Sequence, residues 1–453
     1  MSDSARRVLT RFAPMVYGPT VLFAIGEGAV IPLIPILAAK LGAGLATSGL
    51  IASALVIGQL VGNLPAGFLV ARLGERVTMV GASLLALVGV AGLALAPTLP
   101  LLATSVFLVG VCAAAFGLAR HAFMTIRVPV GFRARALSLL GGSFRLGMFA
   151  GPFLGALLLG LTGTEAAAAW AFAACLVACV LLVGFGPDPE AQLRAEEAAG
   201  RAPGGQAPGG SAAGAARSTR DAARDPGHRR DNHHADTGEP VTSGIPLPPT
   251  RPAGVFRTMW NHRRVLSRLG LAAASLSAVR SARQVVLPLW GVSLALDAQT
   301  ISLVVGVAGA IDFALFYASG QVMDRFGRLW AALPAMLLMG AGFLALSVTH
   351  DIAQASMWFA MLAAVIGVGN GLSSGILLTL GADVAPVGDP AAFLGSWRTL
   401  TDAGGAAAPV LFSAIAAATT LGVATAAMGL IGVLGALGFL RWVPQFVRRT
   451  PRP

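Results

Sequence analysis

The sequence predicts an all-α integral membrane protein in which twelve transmembrane helices form two pseudo-symmetric six-helix bundles. Three observations indicate this fold class. Of the 453 residues, 56% are hydrophobic and 11% are charged, and the mean hydropathy is +0.76. Such a chain has too little polar surface to cover a soluble globule. Apolar runs of membrane-spanning length occur twelve times, and the chain matches itself when it is shifted by 253 residues.

The apolar runs have the length of membrane-spanning helices. A bilayer core of about 30 Å needs roughly 20 helical residues per crossing, and a helix satisfies its own backbone hydrogen bonds there. The twelve runs lie at 14–38, 46–70, 77–97, 101–126, 136–160, 165–186, 268–291, 299–319, 330–349, 354–380, 391–415 and 419–441. Strands of a membrane barrel are half as long and alternate in polarity, which these runs do not.

The internal repeat relates two halves of the chain. Gly67, Arg72 and Gly74 fall on Gly320, Arg325 and Gly327; Gly142, Ser143 and Arg145 fall on Gly395, Ser396 and Arg398; Pro35 falls on Pro288. Matches at one constant shift indicate homologous bundles at 1–186 and 258–453, the second ending in a cytoplasmic tail. The stretch 187–257 is rich in Gly, Pro, Ala, Arg and Asp. It has too few apolar residues to fold alone and is predicted to be a disordered cytoplasmic linker.

The net charge of +12 is distributed as in a membrane protein. Arginines lie at alternate loops and at the ends, whereas the opposite loops carry little beyond Lys40. This bias predicts that both termini and the linker are cytoplasmic, and it accounts for the charge without a nucleic-acid partner. We expect a multi-pass protein of the plasma membrane whose first helix, rather than a cleavable signal peptide, directs insertion.

Catalytic, cofactor and metal sites are not indicated. Cys175 and Cys179 are one turn apart, but no histidine or further cysteine accompanies them. The histidines at 228, 233 and 234 lie in the predicted linker, which offers a metal no fixed geometry. The spans contain no Ser/His/Asp, HExxH or paired-carboxylate constellation, and the absence of a Gly-Lys nucleotide loop argues against direct drive by ATP.

The loop between predicted helices 8 and 9 resembles the signature G-x-L-a-D-R-x-G-R of the major facilitator superfamily. The matching residues are Gly320, Asp324, Arg325, Gly327 and Arg328. The glycines allow a tight turn, and the Asp and Arg form a charged latch that can pair differently in two states. The copy in the first half has Ala71 and Glu75 where the family has Asp and Arg, so the latch is expected in the second half. The resemblance covers nearly the whole chain except the linker.

Two further segments are similar to exporters of this superfamily. In helix 5, Gly147, Gly151, Pro152 and Gly155 with Ala156 resemble the exporter motif G-x-x-x-G-P-x-x-G-G. Their spacing puts the glycines on one face, which we expect to pack against a helix of the other half; generic packing of small residues is the alternative. The segment GEGAVIPLIPILAAKLG in helix 1 resembles drug:proton antiporters, although the arginine usual early in their helix 4 is missing from FLVGVCAAAFG.

Charged side chains within the spans mark the expected site. A charge at the bilayer centre costs roughly 3 kcal/mol, so each should face a cavity or a partner. Glu27 lies near mid-membrane on helix 1, and its repeat counterpart on helix 7 is Arg280. In the superfamily, helices 1, 4, 7 and 10 line a central cavity, which implies the cavity residues Glu27, Arg120, Arg280, Arg283, Gln284 and Asn370. Glu27 is predicted to carry the proton; the alternative is a static Glu-Arg pair.

Two further ion pairs are expected between or within the halves. The family packs helix 5 against helix 8, which implies an Arg145–Asp312 pair. By the pseudo-symmetry, Gln59 should lie opposite Arg398, but a glutamine cannot neutralise an arginine. Asp402, four residues after Arg398 on the same helix face, is therefore expected to pair with it. These pairs either hold the halves in register or open as a gate when protonated, which makes Asp312 a second proton-coupling candidate.

The charge balance and the aromatic residues suggest which kind of molecule the cavity binds. Five arginines and three carboxylates lie in the spans, which favours anionic or zwitterionic cargo. His121, next to Arg120, is expected to point away from it as a hydrogen-bonded packing residue. The aromatic residues Phe116, Phe123, Trp290 and Trp397 either contact the cargo or pack in the core.

The sequence thus predicts a secondary transporter. The preferred interpretation is a monomeric, proton-coupled exporter of small amphipathic molecules, drug-like or metabolite, that works by alternating access. The alternative within transport is uptake of an organic anion or metabolite, with Arg120, Arg280 and Arg283 as its clamp. A different class is a non-transporting membrane scaffold that docks partners through its linker. Deletion of residues 195–250 distinguishes a scaffold from a carrier, because a carrier should tolerate the loss of the linker and a scaffold should not.

Overall fold

The computed structural model describes residues 13–127, 130–186, 260–386 and 390–447, and all regular structure within them is helical. The first half contains α1 (Met15–Lys40), α2 (Leu45–Leu73), α3 (Glu75–Ala94), α4 (Leu99–Arg127), α5 (Val130–Thr162) and α6 (Ala166–Phe185). The second half contains α7 (Leu271–Ser293), α8 (Ala298–Phe326), α9 (Arg328–Ser347), α10 (Ala355–Val384), α11 (Pro390–Ala418) and α12 (Leu421–Phe446). They occupy the twelve predicted spans, and both halves belong to one compact unit. The predicted linker 187–257 lies outside the described residues.

Helix α7 differs from the other eleven described helices in composition. Those eleven are long and apolar enough to cross a membrane, whereas α7 is not apolar enough by the same measure. The cause is its polar content, since Arg280, Arg283 and Gln284 stand among several serines. A helix of this kind is stable in a bilayer only where its polar face is turned away from lipid.

The helix contacts repeat between the halves and support the pseudo-symmetry. In the first half α1 packs on α5 and α6, α2 packs on α4, and α3 packs on α4 and α6. In the second half α7 packs on α11 and α12, α8 packs on α10, and α9 packs on α10 and α12. Between the halves, α5 meets α8 and α2 meets α11. Each contact therefore has its counterpart six helices later.

The turns that the repeat motif predicts have the same conformation in both halves. Gly74 separates α2 from α3 with φ +80°, and Gly327 separates α8 from α9 with φ +97°. A side chain is disfavoured at such positive φ, which explains why both positions of the repeat hold glycine. Each of these turns follows an even number of spans, and so does the end of α12. They therefore lie on the same face of the membrane as the start of α1, which we call the termini side.

Two cavity helices are interrupted. In α1 a 3-10 turn at Ile31–Leu33 follows Glu27 by one turn, where Pro32 and Pro35 cannot donate backbone hydrogen bonds. In α10 the helix ends at Leu372 and resumes at Ile376, with Gly375 at φ +76°. The predicted span 354–380 is thus two helical pieces, and Asn370 lies directly before the interruption.

The start of α8 sets the position of Asp312. The Asp297 side chain accepts a hydrogen bond from the Thr300 backbone N–H at 2.9 Å and caps the helix. The hydrogen bonds from Thr300 lower the pKa of Asp297, so it remains an ionised cap at neutral pH. Asp312 follows about four turns later, in the middle of the span.

The glycine face of α5 contacts a different helix from the one predicted. A Cβ on Gly147 would lie 2.5 Å from Ala24 Cβ, and one on Gly151 would lie 2.5 Å from the Ile25 carbonyl oxygen. Gly155 likewise approaches Ala29. All three face α1 of the same half, so the expectation of packing across the halves was wrong. Helical spacing defines the face of a helix but does not specify its neighbour.

We predict that Gly151→Ala destabilises the protein by about 1–3 kcal/mol, because the new methyl group meets α1 backbone atoms that cannot move aside. Thermal unfolding of the purified protein measures the effect. Gly141→Ala on the same helix is the matched control, since a Cβ there meets no atom within 4 Å among the described residues. Equal unfolding temperatures for the two variants would contradict close packing of α1 on α5.

Candidate functional site

A cavity of about 650 Å³ lies between the two halves. Helices α1, α2, α4 and α5 line it from the first half, and α7, α8, α10 and α11 line it from the second. All six predicted cavity residues contribute: Glu27, Arg120, Arg280, Arg283, Gln284 and Asn370. The polar face of α7 is turned into this space, which explains how so polar a helix is accommodated.

The cavity opens toward the termini side. On the opposite side, Ile301 of α8 packs into a buried cluster with Ala29, Leu33 and Leu159 of the first half. Ser53 of α2 and Ser413 of α11 also meet there, with hydroxyl oxygens 3.4 Å apart. Nearer the termini side, the Arg398 side chain lines the cavity and remains 62% exposed. The described residues therefore close the cavity on the side away from the termini and leave it open on the termini side.

Glu27 forms the centre of the first-half wall. It is 4% exposed, and Gln59 Nε2 of α2 donates a hydrogen bond to Glu27 Oε1 at 3.1 Å. Arg120 of α4 interacts with it electrostatically. From the internal repeat we matched Glu27 with Arg280 and expected Gln59 to lie opposite Arg398. In the structure, the Gln59 side chain donates to Glu27 of the same half.

Arg120 is held mainly by an aromatic ring. It is 7% exposed, and its guanidinium carbon lies 4.8 Å from the centre of the Phe144 ring. Its Nε has no hydrogen-bond partner among the described residues. Leaving such a buried donor unpaired costs about 1–3 kcal/mol, so the site has capacity for an acceptor supplied by a ligand.

Asp312 organises the second-half wall. Arg145 Nη1 lies 2.8 Å from Asp312 Oδ1 across the boundary between the halves, which is the predicted pair. Asn370 Nδ2 donates to Asp312 Oδ2 at 2.7 Å, and Arg280 Nε donates to Asn370 Oδ1 at 3.1 Å. Arg283 Nη2 lies 3.7 Å from Asp312 Oδ2, and Arg283 Nε has no partner in the described structure. One carboxylate thus faces three arginines.

The remaining titratable residues lie nearer the opening. Arg398 Nε is 3.5 Å from Asp402 Oδ2 within one turn of α11, as expected from their spacing. His121 Nδ1 is 2.8 Å from the Gly117 carbonyl oxygen, and the residue also lines the cavity, although we expected it to point away. The lining contains five arginines and three carboxylates, so two positive charges are unbalanced when His121 is neutral.

The four predicted aromatic residues lie outside the cavity lining. Phe116 stacks on Phe23 with ring centres 4.6 Å apart, and Trp397 Nε1 donates to the Leu377 carbonyl oxygen at 2.9 Å. Phe123 and Trp290 are buried. All four therefore pack in the core, which is the second of the two roles that we expected for them from the sequence. Phe144 and Phe149 of α5 are the aromatic residues that line the cavity, and helical periodicity alone did not identify them.

The two copies of the loop motif form different contacts. In the second half, Arg328 Nε donates to Asp383 Oδ2 of α10 at 2.8 Å and lies 4.0 Å from Asp324. In the first half, Arg76 donates to the Val183 and Gly184 carbonyl oxygens at the end of α6. The part that these loops and the residues Gly67, Arg72, Pro152, Gly320 and Arg325 play in gating stays a prediction.

Comparison with known proteins gives the family. The model of the Major Facilitator Superfamily matches residues 19–409 and 269–453. Comparison with curated proteins gives no match. Among solved structures, the fold is similar to a POT family transporter in complex with thioalcohol conjugated peptide, with TM-score 0.70, 10% identity and coverage of 98% of this chain and 97% of that one. A POT family transporter in complex with 5-aminolevulinic acid has TM-score 0.68, 11% identity and the same coverage. The chain belongs to the Major Facilitator Superfamily.

Proposed function

We propose that this transporter is a proton-coupled exporter of small amphipathic molecules that carry an anionic group, and that it works by alternating access. One observation carries the proposal: a single cavity between the halves has the buried carboxylate Glu27 on one wall and the arginine cluster around Asp312 on the other. In this proposal each monomer is a complete carrier in the plasma membrane, and the termini side faces the cytoplasm.

The proton site is assigned to Glu27 because of its surroundings. Its described neighbours are the neutral Gln59 and a single cation, Arg120. Asp312, by contrast, faces three arginines and is assigned to holding these cations rather than to carrying the proton. Movement of the halves exposes Glu27 to each side in turn, and the cavity delivers a proton to one side as it releases cargo to the other.

The anionic group of the cargo is supported by the charge of the cavity. Two unbalanced positive charges in a low-dielectric space attract anions, and two buried guanidinium N–H groups, those of Arg120 Nε and Arg283 Nε, find no acceptor in the part of the chain that the structure describes. A transporter of the same fold was solved in complex with 5-aminolevulinic acid. The fold thus accommodates an acid of that kind.

The direction of transport rests on helix α5. Its segment from Gly147 to Gly155 resembles the exporter motif and packs directly on the part of α1 that carries Glu27. Uptake of an organic anion is the second candidate, and the electrostatic interaction between Glu27 and Arg120 favours it. A proton on Glu27 leaves Arg120 without its counter-ion, so proton and anion would then bind together rather than compete.

Proteoliposomes with an imposed proton gradient separate the two directions. Purified protein is reconstituted, and a panel of labelled acids, zwitterions and drug-like cations is screened for gradient-driven movement. Movement of an acid against the proton flow supports export, and movement with the proton flow supports uptake. Failure of the gradient to drive any compound that the protein exchanges would overturn proton coupling itself.

We predict that Arg283→Gln raises the KM for an anionic compound found in that screen by about 10–100-fold. A hydrogen bond to a charged group contributes about 1.5–3 kcal/mol, and each 1.4 kcal/mol is about tenfold. Arg283→Lys keeps the charge and is expected to lose less. A neutral amide analogue of the compound is the control. If the substitution changes the KM of the acid and of the amide equally, Arg283 does not bind the anionic group.

A further inference from the structure

A second group of arginines lies on the termini side, outside the cavity. The short helix Arg263–Val265 and the π-helical turn Leu266–Gly270 lead into α7 and pack beside the end of α12. Together with the end of α12 they form a surface that we call the basic patch, in which Trp442 is half-buried and the other side chains are exposed: Trp260, Arg263, Arg264, Arg268, Arg441 and Trp442.

Stacking on tryptophan holds several of these arginines in place. The guanidinium carbons of Arg268 and Arg441 lie 4.8 and 4.9 Å from the centre of the Trp442 ring, so one ring joins both charges. Arg263 lies 5.1 Å from the centre of the Trp260 ring, and Trp260 is 70% exposed. A guanidinium group is attracted to the face of an aromatic ring, so these cations are partly ordered before any ligand arrives.

The sequence spacing places the basic side chains on one face. Arg264 and Arg268 are four residues apart, whereas Leu266 and Leu269 on the other face are buried against the second half. The His262 ring also packs edge-on against Phe393 of α11 with centres 5.3 Å apart. The segment is therefore docked on the bundle with its arginines directed outward.

The charge of the basic patch has no counter-ion in the described structure. None of the four arginines lies within 4.0 Å of a carboxylate of a described residue. Arg263 donates to the Trp260 carbonyl oxygen, and Arg441 pairs with the neutral Gln445 side chain. Four clustered positive charges that meet no carboxylate among the described residues favour a multivalent or closely held anion.

An apolar strip continues from the patch toward the middle of the membrane. On α12, leucines exposed by between 50% and 56% of their surface follow one another at helical spacing: Leu430, Leu434, Leu437 and Leu440. Leu271 at the start of α7 is 55% exposed beside them. A molecule that fills both regions must have an anionic head and a long apolar tail.

We propose that the basic patch binds the headgroup of an anionic phospholipid, whose acyl chains lie along the leucines of α12. Guanidinium groups bind phosphate through paired hydrogen bonds, tryptophan prefers the level of the headgroups, and basic sites between transmembrane helices hold anionic lipids. The lipid bridges the start of α7 and the end of α12. This site is independent of the cargo and of the direction of transport.

Lipid binding to the purified full-length protein tests the proposal. Detergent-solubilised protein is mixed with equal amounts of phosphatidylglycerol and phosphatidylcholine, and retained lipid is counted by native mass spectrometry. We expect preferential retention of phosphatidylglycerol and a rise in Tm with that lipid. The double substitution Arg268→Gln and Arg441→Gln should weaken its retention by about tenfold or more, since each arginine near a lipid headgroup contributes about 1 kcal/mol.

Matched controls separate the patch from general positive charge. Arg72→Gln with Arg325→Gln removes two arginines of the same face, each stacked on a phenylalanine, and should leave retention unchanged. Arg268→Lys with Arg441→Lys keeps the charge and should preserve most of it. Equal retention of both lipids, or equal losses in the two glutamine variants, would overturn the proposal. A rise in Tm with inorganic phosphate equal to that with phosphatidylglycerol would assign the patch to a soluble anion instead.

Discussion

Glu27→Gln is expected to abolish concentrative transport while leaving exchange of cargo across the membrane intact. The glutamine is nearly isosteric with Glu27 and can still form a hydrogen bond with Gln59, so the first-half wall keeps its shape. It cannot take up and release a proton. A proton-motive force of about 150 mV stores roughly 3.5 kcal/mol per charge, enough for a gradient of a few hundred-fold. The cargo gradient across the membrane should fall from that range to equal concentrations on the two sides.

The measurement is gradient-driven accumulation and counterflow of one compound in the same proteoliposomes. Glu165→Gln is the matched control, because Glu165 belongs to the same half but pairs with Lys40 at 2.6 Å outside the cavity. It should accumulate cargo normally. A Glu27→Gln protein that concentrates cargo like the wild type would remove Glu27 from the proton pathway. Loss of both accumulation and counterflow would point to a binding or structural role instead.

Asp312→Asn is expected to have the largest effect on stability. The Asp312 side chain is 13% exposed and is the carboxylate that faces Arg145, Arg280 and Arg283. Removing its charge leaves three arginines close together with no anion between them. Breaking one buried pair typically costs about 3–5 kcal/mol. We expect a lower Tm, less protein in the membrane, and loss of transport in the protein that remains.

A second substitution tests whether the unbalanced positive charge causes the loss of stability. Adding Arg145→Gln to Asp312→Asn removes one of the unbalanced arginines and should recover part of the lost Tm. Asp402→Asn is the control within the cavity, because its pair with Arg398 is 3.5 Å long and exposed, and such pairs contribute about 0–1 kcal/mol. Normal transport with a normal protein level in Asp312→Asn would remove both the register and the gate interpretations of the pair.

Most of the fold could be predicted from the sequence because its determinants are local. Composition and spacing give the eleven apolar spans and the repeat glycines Gly74 and Gly327, and the internal repeat adds the polar α7 as the counterpart of α1. Helix ends were less well predicted. α5 begins at Val130, before the apolar run 136–160, and α8 ends at Phe326, after the run 299–319, since hydropathy marks the membrane core and not the helix that extends beyond it.

The site was predicted in part. Membership of the cavity could be inferred because a charge in a span must avoid lipid, and the Arg145–Asp312 pair followed from the family arrangement of helices 5 and 8. The partners were not predictable in the same way. Gln59 at Glu27 and Asn370 between Asp312 and Arg280 are neutral residues, so charge balance does not indicate which side chains they pair with.

The amino-acid sequence by itself determined the number of spans, the duplication and the set of buried charges, because each depends on the free energy of placing individual residues in lipid or water. Only the tertiary structure decided which helices touch and which charges share a partner. The glycines of α5 fit α1 rather than the other half, and three arginines converge on one aspartate. Both depend on the shapes of surfaces from distant parts of the chain, and spacing along one helix does not encode them.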